Sequence, residues 1–197
     1  MMARPREFEI DKAVEAAMNQ FWERGYESTS LRHLMEATGL HKGSLYKAFD
    51  DKKSLFIAAL KQYEAMGHQR AEQAFSAAPS AIEGLRQMLH SAVDNELCDG
   101  EHKKGCLIIN TIVERPSLPP EIQKAIQGVC ERFANRVASV MALGQSEGAI
   151  RTDRDPLVLA KQFLYGGLSS VEVAWKNDED EETLDMLINQ AIDGLRP

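Results

Sequence analysis

The stretch ATGLHKGSLYKAFDDK, residues 37–52, decides the fold. Gly39 separates two short segments with helical patterning. Before it, Leu31, Leu34 and Met35 repeat at helical spacing over residues 31–38, and Ser28, Thr29 and Ser30 offer an N-cap. After it, residues 41–49 set Leu45 and Phe49 among small and basic residues. A helix of about eight residues is marginal alone because nucleation is costly, so packing must fix it. Leu31, Leu34, Leu40, Leu45 and Phe49 are expected to pack on the preceding helix. His41, Lys42, Gly43, Ser44 and Lys47 are then left to solvent or to a partner. Gly39 permits a positive φ, so the two helices can cross steeply. Helix, glycine turn and short basic helix is the arrangement of a helix-turn-helix, whose second helix enters the DNA major groove. An ordinary αα-hairpin with a solvated basic face shares the pattern.

Outward from this stretch the dominant period stays helical. Residues 11–24 carry Ala13, Val14, Ala17, Met18 and Phe21 on one stripe, with Gly25 as a stop. A long helix over residues 52–77 follows, capped by Asp50 or Asp51. Further helices are expected over residues 80–97, 106–114, 121–144, 157–175 and 183–195. The RPSLPP stretch at 115–120 is a firm break, because prolines remove donors and block helix continuation. The expectation is an all-α chain of about nine helices, with a helix-turn-helix domain at 1–51 running into the start of the fourth helix. A larger effector and dimerisation domain covers 52–197.

The formal charge of −7 is unevenly placed. Residues 1–62 net +1 and residues 63–197 net −8. A near-neutral N-terminal part still presents a local basic face, and the asymmetry points to two jobs. No apolar run is long enough for a membrane span, and the first ten residues have no signal-peptide core, so a cytoplasmic protein with no membrane partner is expected. Three cysteines, Cys98, Cys106 and Cys130, give no disulfide framework. No Gly-rich phosphate loop, nucleophile elbow or metal-hydrolase signature is present, which argues against an enzyme, and no cofactor is expected.

Residues 21–60, FWERGYESTSLRHLMEATGLHKGSLYKAFDDKKSLFIAAL, resemble the DNA-binding domain of the TetR/AcrR family of bacterial transcriptional regulators. The resemblance rests on the aromatic-rich FWERGYESTS, the turn at ATGL, the helix KGSLYKAF and the DKKSLF that opens the fourth helix. It departs at Met35, where many members carry alanine. It implies a dimeric repressor on double-stranded DNA with an inverted-repeat operator, released by a small-molecule effector. It also implies roles by position. Lys42 and Gly43 open the recognition helix at its His41 end. Ser44 and Tyr46 hydrogen-bond bases or phosphates, Lys47 supplies charge, and Lys52 holds a phosphate with the helix N-terminus behind it. Thr29 and Ser30 do the same at the second helix. Arg4 and Arg6 suit a flexible minor-groove arm.

For the second domain, residues 157–175 are apolar on most faces. Leu164, Gly166, Gly167, Leu168 and Val171, with Leu184, Leu187, Ile188 and Ile192 of the last helix, are assigned to a dimer seam. The alternative is the core of one chain. Met66, Met88, Ile109, Phe133 and Phe163 are candidates to line an effector pocket, each with ordinary core packing as the alternative. Cys106 stands at a helix start after Lys103 and Lys104, a setting that stabilises a thiolate, so modification of Cys106 is a second candidate trigger. It also reads as a small buried hydrophobe. Cys98, His102 and Cys106 are spaced by four, but Asp99-Gly100 interrupts a helix there, so no metal site is assigned.

Overall fold

The computed structural model describes the backbone of residues 4–93 and 103–197, with side chains from residue 10 onward. All regular structure among these residues is helical. In chain order the elements are α1 (Arg4–Arg24), α2 (Leu31–Thr38), α3 (Lys42–Phe49), α4 (Lys52–Ala77), α5 (Ala81–Ala92), α6 (Leu107–Glu114), α7 (Pro120–Ser146), α8 (Pro156–Gln162), α9 (Ser169–Lys176) and α10 (Glu181–Asp193). A 3-10 turn, Arg115–Ser117, follows α6, and a π-helical turn, Phe163–Leu168, joins α8 to α9. No helix of the described residues is long and apolar enough to cross a membrane.

The described residues form two compact units. The first holds residues 1–67 and 107–129, and the second holds 68–106 and 130–197. Each therefore takes part of α4 and part of α7.

In the first unit, α1 starts at Arg4, seven residues before the expected start at 11, so Arg4 and Arg6 belong to its first turn and not to an extended arm. Gly25 stops α1: at φ +77 its N–H donates to the Phe21 carbonyl at 2.8 Å. Gly39, at φ +68, closes α2 in the left-handed conformation that favours glycine. Phe21, Phe56, Leu34, Leu45, Leu55 and Leu60 form the fully buried interior. Burial of each such side chain contributes roughly 1.5–3 kcal/mol. The Phe21 and Phe56 rings meet edge to face at 4.8 Å, and Tyr26 lies against both.

The second unit is helix on helix around Leu85, Leu89, Val137, Met141, Leu159, Phe163, Val171, Ile188 and Ile192. Side-chain caps start α5, α8 and α10. Ser80 accepts from Glu83 N, Asp155 from Leu157 N and Val158 N, and Asp180 from Thr183 N. The helix expected over 157–175 is interrupted in the middle. Both the N–H and the hydroxyl of Ser169 donate to the Leu164 carbonyl five residues back, beside the unbranched Gly166-Gly167 pair.

Candidate nucleic-acid interface

Helix α3 is divided cleanly between two environments. Leu45 and Phe49 are buried, while His41, Lys42, Gly43, Ser44, Tyr46 and Lys47 are all exposed. The buried pair anchors the helix and leaves one continuous polar face. His41 is its N-cap residue and makes no side-chain cap hydrogen bond. The first-turn N–H groups of α3 thus have no side chain competing for them. Around Gly43 a Cβ would find nothing within 4 Å, so the backbone there is open to a close approach. Lys42 Nζ stands 5.8 Å from the Tyr46 ring centroid, a spacing that keeps both on the same face.

The two residues before α2 have different fates. Ser30 is exposed and forms a capping box: its Oγ accepts from His33 N at 3.2 Å, and its own N–H donates to His33 Nδ1 at 3.2 Å. The capping bond uses the hydroxyl as an acceptor and leaves Ser30 at the surface. Thr29 is fully buried, and its hydroxyl donates to the Gly25 carbonyl at 2.6 Å. The expected phosphate contact from Thr29 is therefore corrected. Its hydroxyl closes the α1–α2 turn, because a buried hydroxyl must satisfy its donor internally.

Lys52 is also placed differently from expectation. Its Nζ lies 4.3 Å over the Tyr26 ring and 3.4 Å from the Glu27 carbonyl, and burial lowers its pKa. The ammonium is turned onto its own unit and not outward. The N-terminus of α4 behind it is occupied: Asp51 Oδ1 accepts from Ser54 N at 2.6 Å, which holds the Asp51 carboxyl below its ordinary pKa. Lys53, one residue on, pairs with Glu121 Oε1 at 2.5 Å.

Of the dimer assignments, Leu164, Leu168, Val171, Ile188 and Ile192 are buried in the second unit by their own chain. Leu184 and Leu187 are half-buried. Gly167 packs on Ala191, whereas Gly166 is exposed with open space above it. The exposed apolar side chains on these helices are Val158, Tyr165, Val173 and Met186. Their signal is a half-turn offset from the buried stripe, which an apolar run cannot reveal.

The effector candidates fall in both units: Met66 and Ile109 in the first, Cys106, Met88, Phe133 and Phe163 in the second. Met88 and Phe163 are core, and Phe133 packs against that core. Cys106 is half-buried and lies one residue before α6. Its N–H donates to Glu172 Oε2 at 3.3 Å. Glu172 is buried, and desolvation pushes its pKa up to about 7 against the opposing pull of the Cys106 N–H and Lys176. Lys103, expected to favour a Cys106 thiolate, donates to the Trp175 carbonyl at 2.7 Å and pairs with Asp178 at 2.8 Å. Glu172 is a residue that spacing alone does not single out, although a lone carboxylate in the run 164–175 is its signal. Cys98 and His102 lie outside the described residues.

Comparison with known proteins meets this geometry. Residues 13–59 match the profile described as bacterial regulatory proteins, tetR family, and residues 81–191 match the tetracyclin repressor-like C-terminal domain. The transcriptional regulator AcuR of Cereibacter sphaeroides is 30% identical over 156 residues, covering 78% of this chain and 70% of that protein. The HTH-type transcriptional regulator YezE of Bacillus subtilis is 28% identical over 174 residues, covering 88% and 89%. Among solved structures, a cysteine mutant of the TetR-family regulator CifR with 26-base-pair double-strand operator DNA superposes with a TM-score of 0.78 at 30% identity, covering 93% and 95%. With both of its halves matched and α2 and α3 arranged as a helix-turn-helix, the chain belongs to the tetR family of bacterial transcriptional regulators.

Proposed function

We propose that the chain is a homodimeric repressor that binds an inverted-repeat operator through α3 and is released from it by a small-molecule effector. The observation that carries this reading is the exposed face of α3, with Lys42, Gly43, Ser44, Tyr46 and Lys47 outward and Leu45 and Phe49 inward. A short helix-turn-helix reads few base pairs, so two heads held by a dimer are needed for a specific site. The exposed apolar side chains Val158, Tyr165, Val173 and Met186 support a second copy as the occupant of the α8–α10 surface. Acidic Glu182 and Asp185 near Met186, and basic Lys161 and Lys176 near Tyr165 and Val173, suit an isologous contact. The operator DNA in the CifR complex points the same way.

Release by modification of Cys106 is the competing reading of the trigger. Cys106 is half-buried one residue before α6, and its N–H donates to the Glu172 carboxylate. The test of the whole reading is selection of bound fragments from the source genome, followed by titration of one fragment against salt. A palindromic consensus and a steep log–log salt slope are expected. Capture of no fragment above a scrambled control is the result that sinks it.

A further inference from the structure

The last residue of α6 reaches back to the first turn of the chain. Glu114 Oε2 accepts the Tyr26 N–H at 3.0 Å, across 88 positions of sequence. Gly25 makes room for it, since a Cβ there would clash with the Glu114 carboxylate. Gly25 is thus required twice, for its φ of +77 and for this contact. On the other side of the same turn the Thr29 hydroxyl donates to the Gly25 carbonyl at 2.6 Å. Beyond the Tyr26 N–H, the Tyr26 ring lies against Phe21 and Phe56 and carries the Lys52 ammonium at 4.3 Å. The Glu114 charge favours the charged form of Lys52. A second link joins the following corner to the start of α4, the Lys53–Glu121 pair. The turn from Gly25 to Ser30 sets the angle between α1 and α2, and α3 is packed on that frame through Leu45 and Phe49.

We propose that Glu114 is a positioning residue for operator binding: its carboxylate fixes the Gly25–Tyr26 turn and, through the Tyr26 ring, the place of the Lys52 ammonium. The role rests on the reading of α3 as the operator-reading helix. Three variants separate contact from charge. Glu114→Gln keeps an acceptor oxygen at full reach and drops the charge. Glu114→Asp keeps the charge and withdraws it by one methylene. Glu114→Ala removes both. The probe is a duplex carrying the operator selected from genomic fragments. Glu114→Gln is expected to bind as wild type does, and Glu114→Asp and Glu114→Ala about tenfold more weakly, the scale of one lost hydrogen bond. Hydrogen exchange of the Tyr26 amide should quicken in the two weak variants and not in Glu114→Gln. Glu114→Ala and Lys52→Ala should combine to less than the sum of their separate effects, because both act through Tyr26. If Glu114→Ala does not fold, Glu114→Asp carries the test. Wild-type affinity in Glu114→Asp, even with faster Tyr26 exchange, overturns the role, as does a Glu114→Gln weaker than Glu114→Asp. A wild-type protein that retains no duplex overturns the operator reading itself, and this role with it.

Discussion

Gly167 and Ala191 meet so closely that a Cβ on Gly167 would stand 2.9 Å from the Ala191 Cβ. The packing seats the π-helical turn on α10 within one chain. Gly167→Leu is therefore expected to overpack the core and lower stability by about 1–3 kcal/mol. Gly166→Leu points into open space and should leave the unfolding midpoint near wild type. Paired urea melts decide, and equal midpoints for the two variants contradict the packing.

If a second copy covers Val158, Tyr165, Val173 and Met186, then Tyr165→Glu and Val173→Glu should give folded monomers. Sedimentation equilibrium at micromolar concentration reads the outcome, with circular dichroism as the check on folding. A dimer in both variants places the interface elsewhere on the chain.

On α3, Lys42→Ala and Lys47→Ala should weaken operator binding. Each should also reduce the magnitude of the log–log salt slope by about 0.9 for every phosphate that is no longer neutralised. Tyr46→Ala should weaken binding with a smaller change in slope, since its side chain is uncharged. Thr29→Val, by contrast, should lower the melting temperature without altering the slope. Unchanged affinity in all three α3 variants removes that helix as the reader.

Glu172 predicts a pH signature. Burial raises its pKa from 4.5 to about 7 in the folded chain. Between those values the folded chain binds more protons than the unfolded one, so stability falls as pH rises through this window. Glu172→Gln should remove that slope, gaining on the order of 2 kcal/mol near pH 8 and little near pH 5. Denaturant melts across pH 5–8 test it; parallel curves for wild type and variant leave Glu172 without a proton to lose.

For Cys106, the neighbouring Glu172 carboxyl and the engagement of Lys103 with Trp175 and Asp178 set the expectation. Brief sub-stoichiometric alkylation should label Cys106 no faster than Cys130. Mass spectrometry of the digested protein gives the answer. Preferential labelling of Cys106, together with loss of operator binding in wild type but not in Cys106→Ser, transfers the trigger to the thiol.

The helical order was legible from spacing because apolar side chains every three or four residues, with glycine and proline breaks, have one inexpensive arrangement. Leu45 and Phe49 identified the inner face of α3, and the outer face followed. Pairings between positions far apart were not legible in that way. Nothing near Glu114 in the chain announces Tyr26, and nothing near Lys52 announces that its ammonium turns onto an aromatic ring. Thr29 and Ser30 are adjacent, chemically alike residues, and only packing separates the buried one from the exposed one. On the last helices, apolar composition identified a buried rod. It did not divide Val171, fully buried, from Val173, largely exposed, because the π-helical turn shifts the register between them and the residues before it.

That turn has a consequence for how the lineage can vary. A π-helical turn holds one residue more than an α-helical turn in the same span. Removing one residue from 163–168 would let the segment close as ordinary α-helix with α8 and α9 still facing as they do. The same deletion within α9 would rotate everything after it by about 100° and carry Trp175 out of its buried place. Length changes among close relatives of this chain should therefore collect at the turn beside Gly166 and Gly167, where the helix holds a spare residue.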